Sequence, residues 1–263
     1  MEKLDGHTVK LRFMHGQSYG YNAYFEGDTV AFVRASTMER FASACVVSVK
    51  RLTDRTVEVA FDRDIPKELE LNHDCVENIS CTPEVEIRNC YFTRTSTRGT
   101  LMTTPRKVII ANNTYYKTGM SAILIEGDAE GWYESGPVKD VLIQNNIFID
   151  CAYNGGPEYA VIALNPSNTI IDAAHPVHRN VRIIGNTFQT FGNPVLYAKS
   201  TEGLVFKDNK VTSTPLPGGA LQKPVFILNG SKNVTIKDNI LKGTFRENIV
   251  FRNMKKGFIK TDL

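Results

Sequence analysis

From residue 85 onward, apolar and polar positions alternate in short bursts, each ending at a polar corner followed by an aromatic or aliphatic residue. Six octads share the pattern: Val-Glu-Ile-Arg-Asn-Cys-Tyr-Phe at 85–92, Val-Ile-Ile-Ala-Asn-Asn-Thr-Tyr at 108–115, Val-Leu-Ile-Gln-Asn-Asn-Ile-Phe at 141–148, Val-Arg-Ile-Ile-Gly-Asn-Thr-Phe at 181–188, Leu-Val-Phe-Lys-Asp-Asn-Lys-Val at 204–211 and Val-Thr-Ile-Lys-Asp-Asn-Ile-Leu at 234–241. Five of the six carry Asn at the sixth position (Asn113, Asn146, Asn186, Asn209 and Asn239), and Cys90 stands there in the first. The starts lie 23, 33, 40, 23 and 30 residues apart, so a base period near 23 with loop insertions accounts for all of them. A second apolar strand follows each corner, at 100–103, 122–126, 160–164, 194–198, 224–228 and 248–251. Short strands, polar corners and a fixed period predict an all-β fold, a right-handed parallel β-helix over residues 81–263. The recurring Asn is expected at an inside corner, where stacked amides bond one another and the backbone left unpaired by the bend.

Residues 1–80 carry a different pattern. Period-two alternation at 8–13, 29–33, 46–49 and 56–61 predicts antiparallel strands, with a turn at 52–55. Only 37–44 reads as helical, and the Ile-Pro step at 65–66 breaks the alternation. The expectation is an N-terminal antiparallel β-barrel-like subdomain over 1–80.

The repeat also locates the insertions. The longest are 126–139 and 150–178, and solenoid loops often make the binding surface. The first contains Glu126, Asp128, Glu130 and Glu134 around three glycines and the only tryptophan, Trp132. Paired carboxylates suit glycoside hydrolysis, in which one protonates the leaving oxygen and the other activates water or attacks carbon. Asp128 and Glu134 are the catalytic candidates, and Trp132 is placed to stack on the apolar face of a sugar ring. The alternative is a solvated acidic loop with Trp132 packed on the coil. Arg98, before Gly99 at the corresponding strand of the preceding coil, either grips hydroxyls or forms a structural ion pair. His15 and Gln17 lie in a polar, aromatic, Gly-rich stretch that is either a binding loop or a turn. His175 and His178 flank a Pro-Val pair with no third ligand at hand, so no metal site is expected. No cofactor is expected either, because no P-loop, GxSxG, HExxH or dinucleotide fingerprint is present.

Composition narrows the classes further. A net charge of +3, from 31 basic and 28 acidic side chains, gives no grounds for a nucleic-acid or anionic-membrane partner. The five cysteines (Cys45, Cys75, Cys81, Cys90 and Cys151) match no zinc or redox spacing, and free thiols are favoured over a Cys75–Cys81 disulfide. No run is long and apolar enough to span a membrane, and the first residues carry no signal-peptide pattern.

Several stretches together resemble glycoside hydrolase family 110. They are Thr-Thr-Pro-Arg-Lys-Val-Ile-Ile-Ala-Asn-Asn at 103–113, Ala-Ile-Leu-Ile-Glu-Gly-Asp-Ala at 122–129, Trp-Tyr-Glu-Ser-Gly at 132–136 and Val-Leu-Ile-Gln-Asn-Asn-Ile-Phe at 141–148. The segment 11–21 with Gly27-Asp28, and His-Arg-Asn-Val-Arg-Ile at 178–183, extend the likeness over most of the chain. The Gly-Asp and Trp-Tyr-Glu-Ser-Gly pair is its most specific part.

The resemblance implies a β-helix with barrel-like elements and hydrolysis of terminal α-1,3-linked galactose from oligosaccharides with inversion. It also implies a longer protein whose further β-helix coils and active-site aspartates precede Met1, with secretion or periplasmic placement encoded there. On that reading Asp128 and Glu134 act on substrate, and Glu126, Trp132, Arg98, His15 and Gln17 bind it. An open coil end near the N-terminus would then be a route to self-association. The rival readings are a non-catalytic carbohydrate-binding β-helix and a lyase-like β-helix. A lyase calls for a Ca²⁺ cluster and a basic catalytic residue.

Overall fold

A computed structural model describes residues 1–13, 23–134, 136–154, 160–214 and 223–263. Two compact units emerge. One comprises Met1–Thr82 with Gly127–Gly136 and Ser167–Ile170, and the other comprises Pro83–Glu126, Pro137–Pro166 and Ile171–Leu263.

The first unit is one bent antiparallel sheet. Its strands are β1 (Glu2–Lys3), β2 (Thr8–Arg12), β3 (Thr29–Arg34), β4 (Glu39–Arg51), β5 (Thr56–Phe61) and β6 (Cys75–Asn78). They lie in the order β1-β2-β5-β4-β3-β6. The long β4 serves two neighbours: residues 39–45 pair with β3, and residues 46–51 pair with β5 across an irregularity between Val46 and Ser48. Such an irregularity bends and twists a strand, which lets one sheet curl round a core. That core holds Val9, Val30, Phe32, Val46, Val57, Val59 and Phe61, the inward members of each alternation.

The helix expected at 37–44 is not formed. The chain turns through Met38, at φ 60°, and enters β4 at Glu39. Ala42 then faces Phe32 and Ala44 faces Val30 across the ladder. Here sheet pairing and packing override the helical preference of Met, Glu, Arg and Ala.

The second unit is a parallel β-helix. Coil one is β7 (Val85–Arg88), β8 (Tyr91–Thr93) and β9 (Thr100–Met102), and coil two is β10 (Lys107–Ala111), β11 (Thr114–Tyr116) and β12 (Ile123–Ile125). Coil three is β13 (Asp140–Gln144), β14 (Ile147–Ile149) and β15 (Ile162–Leu164), and coil four is β16 (His178–Ile184), β17 (Thr187–Thr190) and β18 (Leu196–Lys199). Coil five is β19 (Thr201–Lys207), β20 (Lys210–Ser213) and β21 (Phe226–Asn229). Coil six is β22 (Val234–Lys237), β23 (Ile240–Lys242) and β24 (Ile249–Arg252), and β25 (Ile259–Thr261) pairs beyond it. Equivalent strands form three parallel sheets, of seven, six and six strands.

Each coil therefore has three strands where the sequence pattern suggested two. The octads divide because the residue before the ladder position adopts a left-handed conformation: Asn89, Asn112, Asn145, Gly185, Asp208 and Asp238 all have φ between 54° and 67°. Asn, Asp and Gly are the residues that accept this region at least cost, so the fifth position is as diagnostic as the sixth.

At the sixth position the amides form a continuous ladder. Asn113 donates to Asn146, Asn146 to Asn186 and Asn186 to Asn209, each at 3.0 Å, and Asn209 donates to Asn239 at 3.1 Å. Each of these acceptor oxygens also receives the backbone N–H of the preceding ladder residue. Asn113 ends the row by accepting the N–H of Cys90 at 2.9 Å. Next to the ladder, Phe92, Tyr115, Phe148 and Phe188 stack with ring centroids 4.7–5.2 Å apart. All five cysteines are free.

Candidate functional site

The stretch Gly127–Gly136 belongs to the first unit, and its shape follows from Asp128. The Asp128 N–H donates to the Glu134 carbonyl at 3.2 Å, closing the loop at its neck. The Asp128 carboxylate then accepts three backbone N–H groups from within the loop. Oδ1 takes Glu130 at 2.8 Å and Gly131 at 3.0 Å, and Oδ2 takes Trp132 at 2.6 Å. An Asp is suited to this because its short carboxylate can cap successive amides of a tight turn. Burial alone would raise the Asp128 pKa. The donors Trp132, Glu130 and Gly131 outweigh it and hold the carboxyl below its ordinary value.

Three further contacts brace the loop. The Ala129 N–H donates to Ser167 Oγ at 3.1 Å, the Cys75 thiol to the Ala129 carbonyl at 3.1 Å, and the Gly136 N–H to Glu77 Oε1 at 3.0 Å. Burial, then the charges of Asp74 and Asp128, push the Cys75 thiol up to about 12, so it is a neutral donor and no nucleophile. The loop's aromatics point the other way energetically. Trp132 is 65% exposed and Tyr133 53%. A braced loop holding two large aromatic surfaces in water is the arrangement that stacking on a ligand ring requires.

Beside the loop, within the same unit, lies a cavity of about 410 Å³. Leu11, Phe13, Tyr24, Val33 and Met38 supply apolar lining, and His73, Asp74, Glu77, Asn78, Asp128 and Glu134 supply polar lining. The volume falls in the range of small-ligand sites, roughly 300–1,000 Å³. Two of its acids are paired with arginine. Asp74 meets Arg34 at 2.9 Å, and Glu77 meets Arg40 at 2.6 Å.

The structure thus brings Asp128, Trp132 and Glu134 onto one loop, with both acids at one cavity. Glu126 and Arg98 belong to the β-helix unit. Glu126 follows β12, its N–H bonded to the Met102 carbonyl at 3.1 Å, and half-buried Arg98 precedes β9. His15 and Gln17 lie outside the described residues. His178 is fully buried, and burial, then the Lys199 charge, lowers it to about 3. Its Nδ1 accepts the Val138 N–H at 3.2 Å. Sequence reading missed Glu77, Arg40, Cys75 and Ser167, each an isolated polar residue in a strand or loop.

Fold and site together define a right-handed parallel β-helix protein with an all-β barrel unit and a cavity edged by acid and aromatic side chains. The profile described as "GLAA-B beta-barrel domain II" matches residues 8–76, and that described as "Right handed beta helix region" matches 78–261. The chain is 69% identical over 265 residues to Alpha-1,3-galactosidase A of Bacteroides fragilis, covering 100% of this chain and 44% of the relative. It is 36% identical to Alpha-1,3-galactosidase B of Bacteroides thetaiotaomicron, over 99% of this chain and 43% of that protein. Against Alpha-1,3-galactosidase A of Peterkaempfera griseoplana it is 34% identical, over 94% and 38%. The chain belongs to glycoside hydrolase family 110, among the right-handed β-helix proteins. It spans less than half the length of these relatives.

Proposed function

We propose that this chain forms the galactose-gripping part of an inverting α-1,3-galactosidase that works outside the cytoplasm, in the periplasm or after secretion. The observation that carries the reading is the braced loop, with solvent-exposed Trp132 two residues from Glu134 at the cavity. The 69% identity to a protein named for this activity supports it. Trp132 stacks on the terminal galactose, and Glu134, at the cavity, exchanges a proton with the glycosidic oxygen or with water. Asp128 is held ionised by three N–H donors, so it serves as loop brace and negative charge and not as proton donor. Inversion needs an acid and a base roughly 6.5–9.5 Å apart, with water between them. Glu126, Arg98, His15 and Gln17 are proposed as further hydroxyl-binding groups. The substrate is an oligosaccharide ending in α-1,3-linked galactose.

The test is calorimetric binding of galactosyl-α-1,3-galactose to the 263-residue chain, with galactose release followed in parallel. Binding weakened about fivefold by Trp132→Ala is expected, since ring stacking contributes on the order of 1 kcal/mol. The absence of both binding and release overturns the reading. Binding without release supports the second reading, a non-catalytic sugar-binding unit, which the engagement of both Asp128 carboxylate oxygens by backbone N–H groups favours.

A further inference from the structure

One ion pair, which includes the cavity-lining Glu77, has a geometry that neither the fold nor the sugar-binding loop by itself requires. Arg40 on β4 and Glu77 on β6 flank the central β3, where Arg40 stands opposite Val33 and Glu77 opposite Ala31. Their side chains meet as a fork: Arg40 Nε donates to Glu77 Oε2 at 2.7 Å, and Nη2 donates to Oε1 at 2.6 Å. Both are largely buried, at 19% and 10% side-chain exposure. Two parallel bonds between planar groups fix the carboxylate's orientation as well as its position. A buried ion pair adds little net stability over apolar packing.

Glu77 Oε1 also accepts the N–H of Gly136, the last residue of the loop, at 3.0 Å. The backbone there comes so close that a β-carbon at Gly136 would lie 3.1 Å from Glu77 Oε2 and 3.5 Å from Arg40 Nη2. The 3.1 Å approach is tighter than ordinary contact, so a side chain at Gly136 makes the fork or the loop give by a few tenths of an ångström. Gly136 is two residues from Glu134, and Glu77, Glu134 and Gly136 all line the cavity. The other end of the loop is fixed separately, by Ser167 and Cys75 on Ala129. The fork is therefore the clamp on the end that carries Glu134.

We propose that Arg40 and Glu77 are positioning residues for the sugar site: through Gly136 they set where Glu134 and Trp132 stand. This rests on the sugar-binding reading above. A near-attack arrangement is sensitive to displacements of about 1 Å. Arg40→Met removes the fork but leaves the Glu77 acceptor for Gly136. Glu77→Gln keeps the shape and one acceptor oxygen but loses the charge. Gly136→Ala crowds an intact fork by a few tenths of an ångström.

Trp132 is the only tryptophan, so its fluorescence anisotropy and acrylamide quenching report this loop alone. The experiment measures that signal and the calorimetric Kd for galactosyl-α-1,3-galactose in the 263-residue chain, well below each variant's melting temperature. The expected result is a Kd raised about tenfold in Glu77→Gln, with freer Trp132, and smaller rises in Gly136→Ala and Arg40→Met. Lower melting temperature with Kd within twofold of wild type overturns the proposal, because the pair is then structural only. A Trp132 signal unchanged in all three variants overturns it as well. If the wild type binds no galactoside, the sugar-binding reading fails by itself. The Trp132 signal then decides whether the fork holds the loop: a freer Trp132 supports the clamp and an unchanged one removes it. Should Glu77→Gln fail to fold, Gly136→Ala and Arg40→Met carry the same comparison.

Discussion

At the scale of single residues, Asp128 is the keystone of the candidate site. Replacing it by Ala leaves the N–H groups of Glu130, Gly131 and Trp132 without their acceptor. An orphaned buried donor costs about 1–3 kcal/mol, and partial access to water at this loop puts Asp128→Ala in that range in total. The checks are the melting temperature and Trp132 quenching. Asp128→Asn, which keeps one acceptor oxygen, is expected to lose less, and equal losses in both would place the effect on charge alone. The pH dependence has a definite sign. The folded pKa lies below the unfolded value of 3.8, so the carboxylate's contribution is complete above that value and is lost as pH falls through the folded pKa. The Trp132 signal should hold its native value down to about pH 4 and change below it. The loop itself was legible in the sequence, because acids, glycines and a lone Trp crowd into a stretch that interrupts a repeat. Glu77, Arg40 and Ser167 were not. A single Glu in Cys75–Asn78 or a single Arg in β4 is what any solvated strand face carries, and only the fold shows that they meet.

At the scale of elements, the corner of the coil decides most of the fold. Asn186 shows why. Its side-chain oxygen accepts both the N–H and the amide of Asn146, and its own amide reaches Asn209 Oδ1, the Ile143 carbonyl and the Ile184 carbonyl. Asn186→Ala leaves several of these buried groups unpaired in the interior of coils three to five. The expected loss is roughly 3 kcal/mol, read from the urea midpoint, and well above that of an exposed Asn such as Asn180. A loss under about 0.5 kcal/mol would mean that water replaces the ladder amide. The period near 23 and the recurring Asn made the solenoid readable, since register in a stacked coil requires the same residue at the same corner. The middle strands β8, β11 and β14 escaped notice because each is three residues long, too short to show its own alternation. The left-handed residue that separates them from their predecessors was visible all along as Asn, Gly or Asp at the fifth position. The helix misread at 37–44 has the opposite cause: local propensity was clear, and non-local pairing with β3 overruled it.

At the scale of the whole molecule, chain order and compact unit do not coincide. The first unit is assembled from Met1–Thr82 and from two stretches that leave the chain far downstream, Gly127–Gly136 and Ser167–Ile170. Those stretches are not passengers. Gly136 bonds Glu77, Ala129 accepts from Cys75, and the Ile170 N–H donates to the Ser36 carbonyl at 2.9 Å. Cutting the chain after Thr82 therefore removes part of the cavity's lining, including Asp128 and Glu134, and leaves the fork with no backbone to hold. Residues 1–82 expressed alone are expected to form the sheet, because the core of Val9, Phe32, Val57, Val59 and Phe61 lies wholly within them. They are expected to melt at lower temperature than the same unit in the 263-residue chain and to bind no galactoside. Thermal unfolding by circular dichroism and calorimetric titration with galactosyl-α-1,3-galactose check both points. An isolated 1–82 that matches the intact chain in melting temperature would show that the two downstream stretches contribute no stability. One that binds the sugar as tightly as the intact chain would place recognition in the sheet and remove it from the Trp132 loop. The physical reason to expect neither is that a loop braced at Ala129, Gly136 and the Asp128 carboxylate presents its ligand groups only when all of its anchors are in the same folded unit.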